Sequence, residues 1–166
     1  MLFCLLGFNT MAQKMKNGNT GVTGGYLDHR PPTKEKMLTR RVLKKTAFII
    51  HIAHQKVKEN KNYTGDLAKA VKHQQFAKKL YMVSRYKRAM HHSRTARKYA
   101  ILALKANKGE DSADFKLTPE EETILKSETP SDIELNKELE KEMPELKKIT
   151  EGNLIKENGV EEVDVE

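Results

Sequence analysis

The stretch at residues 83–108, VSRYKRAMHHSRTARKYAILALKANK, constrains the fold most. Wound as an α-helix at about 100° per residue, it lines up Ala89, Ser93, Ala96, Ala100 and Ala103 on one narrow stripe. Lys87, His91, Arg94, Lys98 and Lys105 fall on the opposite side, spread over about 27 Å. The small side admits a neighbouring helix at short range. The cationic side does not bury without anions. A chain built on this helix therefore needs a second helix for one face, and water or a polyanion for the other.

The second helix is legible upstream. Thr33 follows the stiff turn DHRPP and reads as an N-cap, opening a helix to about Asn60. Its apolar stripe is Val42, Thr46, Ile49, Ala53 and Val57, widened by Phe48, Ile50 and Ile52. Arg40, Lys44, His51, Gln55 and Lys58 lie opposite. Residues 60–66 form a loop breaking at Gly65, with Thr64 or Asp66 available to cap the next helix. From Leu67 the pattern stays helical through Lys108, and Gly109 supplies the stop. That is long for a globular helix, so one break is expected near Val83 and Ser84. The first half offers Leu67, Ala70, Val71, Ala77, Leu80 and Tyr81 for burial.

Charge inverts at Gly109. Residues 30–108 carry 22 Lys and Arg against three acids, whereas residues 110–166 carry seven Lys against 19 acids. The acidic part holds two helix starts, Thr118-Pro119-Glu120-Glu121 and Ser131-Asp132-Ile133-Glu134, each with a glutamate placed to complete a capping box. Leu135, Leu139, Met143, Leu146 and Ile149 make an apolar stripe interrupted by Pro144. Residues 160–166 read as a disordered acidic end. The expected fold is all-α: a small basic helical hairpin or bundle, short peripheral acidic helices and disordered termini. The organisation is a flexible N-terminal arm at 1–29, a basic helical domain at 30–109 and an acidic helical or disordered tail at 110–166.

At the N-terminus, residues 1–8 (MLFCLLGF) are too short to span a bilayer and lack the cationic start of a signal peptide. The first ten residues read as an upstream extension, with Met11 a second possible start, and the Gly- and Asn-rich residues 14–25 as a flexible arm without P-loop spacing. A single cysteine, Cys4, excludes an intramolecular disulfide framework and a cysteine zinc site, and an intracellular or particle-enclosed location is expected, with no membrane partner.

Three acids among 79 basic-region residues are too few for a solvated face of mixed sign, which points to a polyanion. The residues expected to contact nucleic-acid phosphates are Arg40, Lys44, Arg85, Lys87, Arg88, His91, Arg94, Arg97, Lys98 and Lys105. DNA and RNA are not distinguished. The acidic segment either folds back on the basic helices or docks a partner through Leu135, Leu139 and Met143. His51, His54, His91 and His92 diverge around their helices and lack nearby carboxylates, so no metal and no cofactor are expected. The same scarcity of acids argues against paired acid–base or two-metal catalysis, and the chain is read as a non-enzyme. The competing reading is an assembly or scaffold component of a viral particle or other large complex, whose oppositely charged halves make contacts with an acidic protein surface or between copies.

Overall fold

Thr33 starts the first helix as its spacing predicts: its side chain accepts the Lys36 N–H at 3.2 Å, and α1 runs Lys34–Asn60. The helix stops at Lys61, which sits at φ 56 and returns its N–H to Val57 O at 2.8 Å. The second helix, α2 (Asp66–Met82), and the third, α3 (Tyr86–Ala106), are separated where the long pattern was expected to break, with Ser84 at φ 60. Past α3, Lys108 takes the left-handed conformation at φ 58 and Gly109 N–H bonds Leu104 O at 2.9 Å. A Cβ at Gly109 would lie 2.1 Å from the Leu104 side chain, so this stop needs glycine for space.

The computed structural model describes residues 33–110, 112–126, 129–157, 160 and 163–164, all within one compact unit. Expectations for the arm at 1–29 and for the turn at 28–32 lie outside them. The described residues are all-α, without strands. Three shorter helices follow the first three: α4 (Pro119–Leu125), α5 (Asp132–Glu142) and α6 (Glu151–Glu157), with 3-10 turns at Ala113–Phe115 and Pro144–Lys148. Both capping boxes form, at Thr118–Glu121 and Ser131–Glu134.

Pairings along α2 and α3 run in opposite directions: Tyr81 meets Tyr86, Phe76 meets His92, and Lys69 meets Tyr99. Pairings of α1 with α3 rise together, Thr46 with Ser93 and Asn60 with Asn107. The three helices thus run up, down and up. Ala96, Ala100 and Ala103 pack in the same buried cluster as Ile49, Ile50, Ala53 and Val57, which accounts for the small stripe as close helix packing.

The acidic segment departs from expectation. Its helices are not peripheral, and of residues 160–166 the described Val160 and Val163 are buried. Phe115, Leu154, Val160 and Val163 join the buried cluster of α1, α2 and α3. Leu125 packs with Leu38, Val42 and Met90, and Leu139 with Phe76, Leu80 and Ala89. Three basic helices of this length do not enclose their own apolar surface, and the acidic segment covers the remainder. Glu151 adds a long-range cap. Gly65 at the N-cap of α2 has no side chain to offer; Thr64 Oγ1 accepts the Asp66 N–H at 3.3 Å, as its position allowed, and Glu151 Oε1 accepts the Leu67 N–H at 2.8 Å across 84 residues.

Candidate functional site

The cations of α1 and α3 have different surroundings. On α1, Lys34, Lys36, Arg40, Arg41, Lys44 and Lys58 are exposed, and Glu35 and Glu59 are the acids of that helix. Arg41 meets Glu120 at 3.5 Å with both side chains largely in water, and Lys45 donates to Lys116 O at 3.0 Å. On α3, acids of the C-terminal segment sit among the cations. Lys98 pairs with Asp132, and Arg88 pairs with Glu138 and, at 2.9 Å, with Glu142.

Two residues expected to face phosphate are not at the surface. Arg97 is 3% exposed; its guanidinium holds the Glu121 carboxylate through two bonds of 3.2 and 3.3 Å, while Nε donates to Thr46 Oγ1 at 3.2 Å. The same Glu121 carboxylate closes the α4 capping box through Thr118 N–H at 2.7 Å. His91 is likewise buried. The reason is tertiary: α4 and α5 supply the anions and apolar cover that α3 alone lacks. Of the other expected contacts, Arg40, Lys44, Arg85, Lys98 and Lys105 are exposed, and Lys87, Arg88 and Arg94 are half-exposed. Leu135 and Leu139, expected to meet a separate partner, are buried in this chain, and Met143 is half-buried against the cluster of Phe76, Leu80, Ala89 and Leu139. The segment folds back on the bundle.

Beneath α5 lies a polar chain that the sequence pattern does not single out. His73 Nδ1 and His92 Nδ1 are 3.0 Å apart, and His73 Nε2 is 2.9 Å from the Asn136 amide, which reaches the Tyr99 hydroxyl at 3.5 Å. At the other end, His92 Nε2 lies 3.5 Å from Glu138, the partner of Arg88. Protons fit this chain in two ways. If Asn136 Oδ1 accepts from His73 Nε2, then His92 must donate through Nδ1, and its Nε2 lone pair faces a carboxylate. With the Asn136 amide turned over, Tyr99 donates to Asn136, Asn136 to His73, and His73 to His92. The second arrangement keeps both imidazoles neutral and turns the His92 Nε2–H toward Glu138, although at 3.5 Å this atom makes no hydrogen bond in the structure. Burial is the first cause holding His73 below the ordinary histidine value. For His92, burial together with His73, Arg88 and His91 lowers the pKa to about 3.

The outer end of this chain opens into a cavity of about 420 Å³ between α2, α3, α5 and the 3-10 turn at Pro144–Lys148, lined by Lys69, Lys72, His73, Tyr99, Asn136, Leu139, Glu140 and Lys147. Tyr99 stacks on His73 at 5.8 Å between centroids, and the Lys69 ammonium lies 5.1 Å from the Tyr99 ring. A second cavity, about 290 Å³, is lined by Arg94 and Lys98 of α3 and by Ser131 and Asp132 at the start of α5.

The signal for His73 was its position. It is three residues from Ala70 and three from Phe76, inside the buried face of α2, where an imidazole needs a partner. The partner, Asn136, comes from 63 residues away and left no local trace. Among the described residues, no group of three or more His, Cys, Asp and Glu is placed to hold a metal ion. Among the same residues, no helix is long and apolar enough to cross a membrane. Comparison with protein-family models, with curated proteins and with solved structures finds no match to this chain.

Proposed function

We propose that the protein is a non-enzymatic nucleic-acid-binding protein that contacts phosphates through the outer face of α1, while its acidic segment lies on α3. The observation carrying this reading is the contrast in counterions. Arg88, Arg97 and Lys98 of α3 meet carboxylates of the C-terminal segment, whereas Lys34, Lys36 and Lys44 stand exposed on α1, beside an Arg41 whose contact with Glu120 at 3.5 Å lies largely in water. Such a face binds phosphates by releasing counterions and carries little base information. The test is a salt titration of duplex and single-stranded binding by the full chain. Steep weakening with salt, reduced in Arg40→Ala/Lys44→Ala, supports the reading. No binding at low salt refutes it.

A second reading, an assembly component, draws on Met37 and Phe48. They are 55% and 62% exposed on the same stripe of α1 as Arg41 and Lys44. Apolar groups among cations suit contact with an acidic protein surface or another copy of the chain. Sedimentation separates the two: self-association abolished by Phe48→Ser supports assembly, and a monomer at all salt concentrations removes it.

A further inference from the structure

The cavity between α2 and α5 is distinct from the α1 face. It combines three features of a ligand site: a concave space large enough for a small molecule, three lysines in its lining, and hydrogen-bonding groups at its floor, His73 buried and Asn136 and Tyr99 half-buried. Lys69, Lys72 and Lys147 line it, against Glu140 as the lining carboxylate. Lys147 and Glu140 are 3.9 Å apart on the exposed rim, a weak pairing. Lys72 is half-buried within the lining. The floor is His73, Asn136 and Tyr99, already joined to one another and backed by His92. Lys69 also pairs with Asp66 at 3.2 Å, so three lysines face two carboxylates and the space keeps a net positive charge that an uncharged ligand would leave unanswered. A planar aromatic ligand meets a Tyr99 ring already in contact with His73 and Lys69. A compact anion with several oxygens fits the net positive charge, with the lysine ammonium groups as its donors.

We infer that this cavity binds a small phosphate-type anion, held by Lys69, Lys72 and Lys147 above the floor of His73, Asn136 and Tyr99. Lysines act on such a group as point charges from several directions, and the site requires no bidentate fork. The state of Lys72 agrees with this assignment. Burial is the first cause lowering its pKa, Glu140 opposes the shift, and Lys69 adds to it. A bound anion would oppose it further. The shared chemistry is the phosphate group, which could belong to a free phosphate compound or to the end of a nucleic-acid strand.

The test uses the full chain, with inorganic pyrophosphate as probe and sodium chloride at matched ionic strength as control. NMR signals of His73, Tyr99 and the Lys72 side chain report occupancy. The expected result is a saturable shift with pyrophosphate that chloride does not reproduce. Binding should weaken at least tenfold in Lys72→Gln/Lys147→Ala and stay within twofold of the parent in Arg40→Ala/Lys44→Ala. Circular dichroism of both variants confirms that helix content is kept, and Lys147→Ala alone, at a solvent-exposed position, is expected to weaken binding without touching the fold. A shift that does not saturate, that chloride reproduces, or that weakens equally in both double variants overturns the site. Oligonucleotides identify the source: saturation by a 5′-phosphorylated strand but not by its unphosphorylated counterpart assigns a strand end, and saturation by pyrophosphate alone assigns a free phosphate compound. Equal saturation by the unphosphorylated strand makes the cavity part of a general polyanion surface and overturns the inference.

Discussion

The helices α1 and α3 carry the same sign of charge and meet different ends. On α3, Arg97 is buried against Glu121, Arg88 faces Glu138 and Glu142, and Lys98 faces Asp132. On α1, the outer cations lie in water, with Arg41 touching Glu120 at the rim. The difference comes from where a third region lands. The segment carrying α4 and α5 brings both carboxylates and leucines, and the leucines select the apolar seams beside α3. A basic helix is therefore a surface for polyanions only after the chain's own acids have been placed. For this reason residues 110–166 are not a removable tail: deleting them would take Phe115, Leu154 and Val163 out of the core and leave Arg97 without its anion.

The largest expected effect breaks the comparison at its buried end. Arg97→Ala leaves the Glu121 carboxylate inside the protein without its partner, and the expected loss is about 3–5 kcal/mol of unfolding free energy. Denaturant titration measures it. Arg97→Met combined with Glu121→Leu should recover most of that loss, since no buried charge remains. A double variant as unstable as Arg97→Ala would show that the site depends on its hydrogen bonds rather than on charge balance.

Acid should attack the α3 side next. His73 and His92 both have lowered pKa values in the folded protein, so the unfolded chain binds more protons as the medium becomes acidic. Stability should be full above about pH 6.5, the ordinary histidine value, and should fall as pH drops toward the folded value, about 3 for His92. The slope is at most about 1.4 kcal/mol per pH unit for each histidine. The groups facing His92 are His73 and Phe76 from α2, Arg88 and His91 from α3, and Glu138 from α5. Unfolding curves recorded between pH 7 and 5 check this. The variant His73→Gln/His92→Phe should flatten the dependence, and an unchanged slope would place the proton uptake elsewhere.

Binding then sharpens the comparison at the surface. Removing one phosphate-binding cation from the α1 face should lower the salt slope of duplex binding by about 0.9, so Arg40→Ala/Lys44→Ala should lower it by about 2. Lys98→Ala, which removes a cation already beside Asp132, should leave the slope nearly unchanged. Equal effects from the two variants would erase the distinction between the helices. The smallest effect concerns that same exposed pair: Asp132→Asn should change stability by less than about 1 kcal/mol, and its salt dependence should be weak.

Local sequence carried far into the helices. Thr33 as a cap, the break at Ser84, the two capping boxes and the small stripe of α3 are all written within a few residues of where they act. Helix starts, stops and faces depend on neighbours three or four positions away, and such neighbours are visible in sequence. Much of the site is not of that kind. His73 meets Asn136, Leu67 meets Glu151, and Arg97 meets Glu121 across 63, 84 and 24 residues. Glu121 shows the limit most clearly. Its place in Thr118-Pro119-Glu120-Glu121 correctly marks a helix cap, and nothing local says that the same carboxylate also neutralises a buried guanidinium.

By itself, then, the sequence determined an all-α chain, the start and end of its main helices and the separation of its charges, because periodicity and capping are short-range and charge is additive. Which cations are sequestered and which stay in water, which histidines share a proton chain, and where a cavity opens were decided only by tertiary packing. Burial and pairing depend on what another part of the chain brings against a face, and for α3 that was the acidic segment whose leucines the bundle required.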